Sequence, residues 1–134
     1  MAEEVLLQTV DGSGATAPIT LHVEATFSRV TISATNGVGT VGTVTGGDLL
    51  EALTELRRHL EDRHLLLCCQ GARINVWPSG LLRQFSEGRC GYVLGARLED
   101  GSFEVVDLLA PAPPVQAANV AQQQEFVRAF HGLT

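Results

Sequence analysis

Arginine side chains cluster in the middle of the sequence, and their type and spacing suit binding chemistry. Residues 63–97 hold five arginines against Glu87 alone, whereas the whole chain carries a formal net charge of −6. All nine basic residues are arginine, and a guanidinium is a planar fork of donors that fits carboxylate and phosphate groups. Two interpretations stay open. The arginines pair with acids elsewhere in the fold, or some of them converge on an anion or an acidic partner.

A strand, a turn and a helix start in this segment could gather anion-binding groups around one ligand. Ser79 followed by Gly80 is suited to begin a helix whose free amides attract anions. Arg83 falls one turn later, Arg73 precedes on a predicted strand, and Trp77 offers an apolar wall. A chain reversal at the following proline would let these groups surround a carboxylate or phosphate, with bidentate arginine contacts. The candidate ligand site is Arg73, Trp77, Ser79, Gly80 and Arg83.

The same residues also have a purely structural interpretation. Ser79 is then only a helix cap, Trp77 only a core residue, and Arg83 pairs with Glu87 at helical i+4 spacing. The sequence leaves both interpretations open.

Elsewhere the sequence contains no arrangement typical of catalysis or metal binding. Cys68 and Cys69 are adjacent in an apolar run, Cys90 is the cysteine best placed for exposure, and no Cys/His spacing suits a metal. The cysteines are therefore expected to act as small apolar residues. A G-x-G-x-x-G match begins at Gly37, but five residues separate it from the next predicted helix, so a hairpin-like or flexible loop is expected there. We predict no catalytic residue, no metal site and no cofactor.

Hydrophobic periodicity predicts the elements that position this segment. Alternating apolar residues predict three N-terminal antiparallel strands. Leucines at helical spacing predict a helix from Leu49 to about Asp62, with Asp48 as its cap. The apolar run at residues 64–69 predicts a strand buried on both faces.

Four further elements are predicted in the second half of the chain, namely two helices and two strands. A helix of about two turns is expected between Ser79 and Gly88, with Leu81, Leu82 and Phe85 facing inward. Two strands should meet in a hairpin at Asp100-Gly101. The C-terminal residues predict a closing helix whose core positions are Val120, Phe126, Val127 and Phe130. The predicted fold is α+β, with a mainly antiparallel sheet of about six strands packed with two longer helices and one short helix. We expect one domain over residues 1–134.

Two classes of function fit this composition. The first is a small, acidic, bacterial, cytoplasmic protein–protein interaction domain without catalysis, comparable with antitoxins, immunity proteins or secretion adaptors. The acidic balance favours a basic protein partner and disfavours nucleic acid. The alternative is binding of a small carboxylate or phosphate, or a small enzyme domain, with the site around Arg73–Arg83. No secretion signal or membrane span is expected, and exposed sheet edges favour a homodimer.

Overall fold

The computed structural model describes residues 2–132 and divides them among eight strands and three α-helices. The strands are β1 (Ala2–Asp11), β2 (Thr16–Thr26), β3 (Arg29–Asn36), β4 (Gly39–Gly46), β5 (Leu65–Leu67), β6 (Val76–Trp77), β7 (Cys90–Arg97) and β8 (Phe103–Asp107). The helices are α1 (Leu49–Glu61), α2 (Gly80–Ser86) and α3 (Val120–Phe130). All pairings among these strands are antiparallel. The predicted α+β class, with two longer helices and one short one, is confirmed.

The strands form two sheets and are more numerous than the six or so that were predicted. The larger sheet has the order β4-β3-β2-β1-β5, and the smaller one has the order β6-β7-β8. In β1 to β3 the apolar residues of each alternating pattern are buried, including Leu7, Leu21 and Ile32, so the three predicted N-terminal strands are confirmed. Within residues 2–132, no helix combines the length and the apolar character needed to cross a membrane.

Strand β4 replaces the loop that was predicted for the glycine-rich segment. Two of its glycines, Gly42 and Gly46, are explained by helix α1, which packs closely over the strand. A Cβ at Gly42 would lie 2.8 Å from His59 Nε2, and one at Gly46 would lie 2.5 Å from the backbone nitrogen of Ala52. The glycines therefore permit close approach of a helix to a strand, which is a packing role that resembles a loop in sequence.

Helix α1 lies against the inner face of the larger sheet. The Asp48 carboxylate caps it by accepting the Glu51 amide at 2.8 Å, as the spacing predicted. The leucines of its apolar stripe are buried, with Leu56 and Leu60 fully so. This stripe packs with the inward residues of β1 to β3 in one core.

Strand β5 is an edge strand, and this corrects the prediction of burial on both faces. Among residues 2–132 it pairs with β1 alone, at the end of the larger sheet, and Leu65 and Leu66 are half-buried. Cys68 and Cys69, which follow it, are buried as predicted.

The smaller sheet carries the predicted hairpin, β7 and β8, and adds the short strand β6. Helix α2 connects β6 to β7, and it contributes no buried residue. The predicted inward packing of Leu81 and Phe85 is wrong, because their exposed fractions are 65% and 80%. In α3, Val120 is buried as predicted. Phe130 is 40% exposed and contacts the rings of Phe103 and Phe126 at the surface, so its predicted place in the core is wrong.

Candidate functional site

Helix α2 is the centre of the segment in which the sequence predicted a site. Ser79 begins it, and the Leu82 amide donates to Ser79 Oγ at 3.0 Å. Ser79 is therefore a helix cap, as the structural interpretation required. Gly80 is exposed, and a Cβ there would meet nothing within 4 Å.

Arg83 pairs with an acid from outside its own segment. Its Nε and Nη2 atoms donate to Asp48 Oδ2 and Oδ1 at 2.6 and 3.1 Å. Partial burial opposes ionisation of Asp48, but the Arg83 guanidinium and the Glu51 amide outweigh it, so the pKa of this carboxyl lies below its ordinary value. The sequence offered Glu87 as the partner of Arg83, and the structure provides Asp48. The cap of α1 is thus also the counterion of α2.

The C-terminal end of α2 packs closely against the N-terminal end of α1 and forms a hydrogen bond with it. The Leu49 amide donates to the Glu87 carbonyl at 3.0 Å. A Cβ at Gly88 would lie 2.7 Å from the Leu50 backbone nitrogen. Glu87 and Gly88 both have left-handed backbone conformations, with φ of 55° and 78°. These contacts fix the position of α2 without burying its side chains.

The structure does not gather the predicted anion site into one place. Gly80 and Arg83 line a surface hollow of about 340 Å³ together with Asp48. Arg73 lines a different hollow of about 500 Å³, and its Nη1 donates to Gln70 Oε1 at 2.8 Å. Trp77 pairs with β7 and is half-buried against the core. Anion binding by these residues stays a prediction, and the Asp48 carboxylate already occupies the bidentate face of Arg83.

Arg89 shows the same use of positive charge. It donates to both carboxylate oxygens of Asp107, at 2.7 and 3.1 Å, and to Glu3 Oε1 at 2.6 Å. These hydrogen bonds raise the pKa of the Arg89 guanidinium above its ordinary value. Arg83 and Arg89 therefore connect the basic central segment to the acidic flanks.

Apolar side chains are exposed on and beside α2. Leu81 and Phe85, four residues apart, point outward from the helix. Phe27, at the tip of the β2–β3 hairpin, is fully exposed and lines the same hollow as Gly80 and Gln84. We call Phe27, Leu81 and Phe85 the α2 surface. The sequence marked the two helix residues as apolar, but it assigned them to the core.

A buried polar network was not anticipated from the sequence. Arg57 is 2% exposed, and its guanidinium donates to Gln123 Oε1 at 2.5 Å, Gly71 O at 3.1 Å and Ala118 O at 3.0 Å. Burial lowers the pKa of Arg57 from its ordinary value. Gln123, fully buried, donates in turn to backbone carbonyls of residues 71, 73 and 76. The network joins α1, α3 and the chain leading into β6.

The detectable signal for both residues was their place in an apolar stripe. Arg57 lies four residues after Leu53 and three before Leu60, and Gln123 lies three after Val120. A polar residue at such a position is buried with its hydrogen bonds satisfied, or the stripe is interrupted. Here both side chains are satisfied, since no buried polar side-chain atom within residues 2–132 lacks a partner.

The buried cysteine next to this network is not activated. Burial raises the pKa of the Cys69 thiol to about 11, which disfavours the nucleophilic thiolate. Across residues 2–132, no group of three or more His, Cys, Asp and Glu side chains lies close enough to hold a metal ion.

Comparison with known proteins adds no family to this description. No protein-family model matches the chain, and no curated protein sequence matches it significantly. The fold and the site therefore define the protein only as an α+β domain with exposed apolar side chains on and beside a short helix.

Proposed function

We propose that this protein is a small, acidic protein–protein interaction domain without catalysis, whose partner binds at the α2 surface. The observation that carries the proposal is the exposure of Phe27, Leu81 and Phe85 around a helix that contributes nothing to the core. Aromatic and large aliphatic side chains of this kind form the buried centre of protein interfaces, where a few residues supply most of the binding free energy. Antitoxins, immunity proteins and secretion adaptors are the class of protein to which this description corresponds.

The way in which α2 is held supports an external role for its apolar residues. The helix is positioned by the Ser79 cap, the Arg83–Asp48 pair and the Glu87 carbonyl. Leu81 and Phe85 are in none of these contacts. Burying a Leu or Phe side chain is worth about 1.5–3 kcal/mol, and the fold obtains little of that here.

The charges beside the α2 surface favour a basic partner. Glu87 lines the hollow next to Phe27, and its carboxylate forms no salt bridge with any residue of 2–132. Arg83, the cation in the same hollow, is already paired with Asp48. With a net charge of −6 for the chain, the surface steers association with positively charged proteins and repels nucleic acid.

The amino-acid composition suggests the source, localisation and oligomeric state that belong to this proposal. We propose a bacterial, cytoplasmic protein that works as a homodimer and requires neither a cofactor nor a membrane. The absence of lysine among the nine basic residues fits the codon bias of a high-GC genome.

The experiment is affinity capture from the source cells, followed by affinity measurement with the purified partner. Leu81→Ala/Phe85→Ala is compared with wild type and with Val38→Ala/Val115→Ala, which truncates exposed apolar residues away from α2. We expect one stoichiometric partner, bound at least about tenfold more weakly by the α2 variant and unchanged by the control. An unchanged affinity in the α2 variant, with an unchanged circular dichroism spectrum, would remove the assignment of the surface. Failure of wild type to retain any partner would remove the function itself.

Arg73→Ala/Arg83→Ala is less suitable as the main variant. Removing Arg83 also deprives Asp48 of its counterion. Its effect on binding therefore could not be separated from an effect on the fold.

A further inference from the structure

Four strands lie at the edges of the two sheets, and they differ in how well they are protected. β5 and β6 have only three and two residues, and β8 has five, of which Glu104 and Asp107 are charged. β4 has eight residues and no charge. Natural proteins protect edge strands with short length, charges, proline or bulges, because unpaired backbone groups template pairing with another chain. By length and charge, β4 is the exception here.

The composition of β4 favours strand pairing. The segment 36–47 has twelve residues without a charge or a proline, in a chain of which 18% is charged. It is made largely of threonine, valine and glycine, and the first two have high β-propensity. Within residues 2–132, β3 is the one strand that pairs with β4, and the other side of β4 forms no backbone hydrogen bond with another segment.

A bulge limits the regular part of this edge to five residues. Thr35 pairs with Thr40 and Ala34 with Gly42, which leaves Val41 as the extra residue. We call the regular part, residues 42–46, the β4 edge. Its sequence, Gly-Thr-Val-Thr-Gly, reads the same in both directions.

We propose that the β4 edge pairs in antiparallel register with the same edge of a second copy of this chain. The two sheets would then join across a two-fold axis centred on Val44. In this register Val44 meets the partner's Val44, Thr43 meets the partner's Thr45, and Gly42 meets the partner's Gly46. Such an interface is isologous, as a two-fold dimer requires. The palindromic sequence makes every cross-strand pair of this register chemically matched.

The two faces of the joined sheet are also compatible with this register. Thr43 and Thr45 are exposed on the open face, where Thr43 Oγ1 lies 3.1 Å from Ser33 Oγ. Pairing would extend this threonine and serine surface across the axis, and cross-strand threonine pairs are favourable. Val44 is half-buried against the core, and the partner strand would cover it further.

Helix α1 would bring opposite helix ends of the two copies together on the inner face. His59 lies against Gly42, and Glu51 approaches Gly46 and Gly47, with its Oε2 3.6 Å from a Cβ built at Gly47. Because Gly42 meets the partner's Gly46, the His59 end of one helix is brought towards the partner's Glu51. The two helices run antiparallel, so opposite ends of their dipoles are neighbours.

The test places lysines on the edge and on a matched control position. Thr43→Lys/Thr45→Lys puts like charges directly opposite each other across the proposed axis. Leu6→Lys/Gln8→Lys puts two lysines at the same spacing on exposed positions of β1, an interior strand of the same sheet. Mass is measured by light scattering after size exclusion, with circular dichroism as the folding control.

We expect wild type and the β1 variant to have twice the 14.3 kDa mass of one chain, and the β4 variant to have that mass once. A monomeric wild type, or a dimeric β4 variant, would overturn the proposal. Dissociation by the β1 variant would instead place the contact on the sheet face. If the β4 variant fails to fold, hydrogen exchange of wild type decides: those amides of residues 42–46 that point away from β3 must become more protected as concentration rises. Leu81→Ala/Phe85→Ala should remain dimeric, so the outcome is independent of partner binding at the α2 surface.

Discussion

The buried pair of Arg57 and Gln123 permits a quantitative prediction about stability. Gln123→Leu keeps the approximate volume of the side chain and removes all of its hydrogen bonds. Arg57 then retains its bonds to Gly71 and Ala118 but loses the 2.5 Å contact with Gln123 Oε1. A hydrogen bond to a charged group contributes about 1.5–3 kcal/mol, and among residues 2–132 no carboxylate accepts a hydrogen bond from Arg57.

The amide of Gln123 adds a smaller loss. Its Nε2 donates to the carbonyls of Gly71, Arg73 and Val76 at 2.9 to 3.0 Å. The Gly71 carbonyl still accepts from Arg57, and the Arg73 carbonyl still accepts from the Val76 amide. Roughly one hydrogen bond to a carbonyl, about 1 kcal/mol, is therefore lost. We therefore expect Gln123→Leu to reduce the free energy of unfolding by about 2.5–4 kcal/mol, from the charged and neutral bonds together.

Urea unfolding followed by circular dichroism measures this loss, and a double-mutant cycle isolates the pair. Arg57→Met/Gln123→Leu removes both partners, and it should cost less than the sum of the single variants by about 1.5–3 kcal/mol. Gln124→Leu, on the exposed side of α3, is the control and should lie within about 0.5 kcal/mol of wild type. A cost below about 1 kcal/mol for Gln123→Leu, or additive single variants, would refute the reasoning.

Two further predictions concern α1. Gly46→Ala should destabilise the fold by about 1–3 kcal/mol, because its Cβ would lie 2.5 Å from the Ala52 backbone nitrogen. Gly12→Ala, with nothing within 4 Å, should be nearly neutral in the same urea assay, and equal effects would contradict the packing argument. The second prediction concerns acid pH. The pKa of Asp48 is lower in the folded protein than in the unfolded chain. The carboxylate therefore stabilises the fold above its unfolded pKa of about 3.9, and this stabilisation is lost as pH falls through the folded pKa. Asp48→Asn should therefore lose less stability than wild type between neutral and acid pH, and parallel curves would argue against this role of the carboxylate.

Sequence patterns correctly predicted the helices and strands that are determined by residues close together in the sequence. The capped leucine stripe of α1 and the alternation of β1 to β3 both reflect one-sided burial, which leaves a direct periodic signal. The hairpin at Asp100-Gly101 follows from turn chemistry. In each of these, the residues that decide the structure are neighbours in sequence.

The remaining elements depend on contacts that the sequence does not display. Gly42 and Gly46 are in a strand because a helix approaches it closely, and that approach is invisible from the segment itself. Leu81 and Phe85 have the spacing of a core-facing helix, yet α2 is fastened at its ends and leaves them outside. An apolar stripe predicts that a helix face is buried, but it does not indicate whether that face packs on the chain's own core or on another molecule.

The central arginines connect these observations. Arg83 and Arg89 direct their guanidinium groups at acids of the flanking segments, so two of the five arginines of the middle segment are neutralised inside the fold. The other three form no salt bridge within residues 2–132, and they are Arg63, Arg73 and Arg97. Near α2, the Glu87 carboxylate lines the hollow beside Phe27 and forms no salt bridge within residues 2–132. The same holds for the Arg29 guanidinium, two residues after Phe27, which is exposed and also without a salt bridge there. Cationic side chains of the proposed partner would stack well on the exposed aromatic rings. The Arg83–Asp48 pair that positions α2 therefore also removes Arg83 as an anion-binding group, and the proposed preference for a basic partner rests on Glu87 and on the net charge of −6.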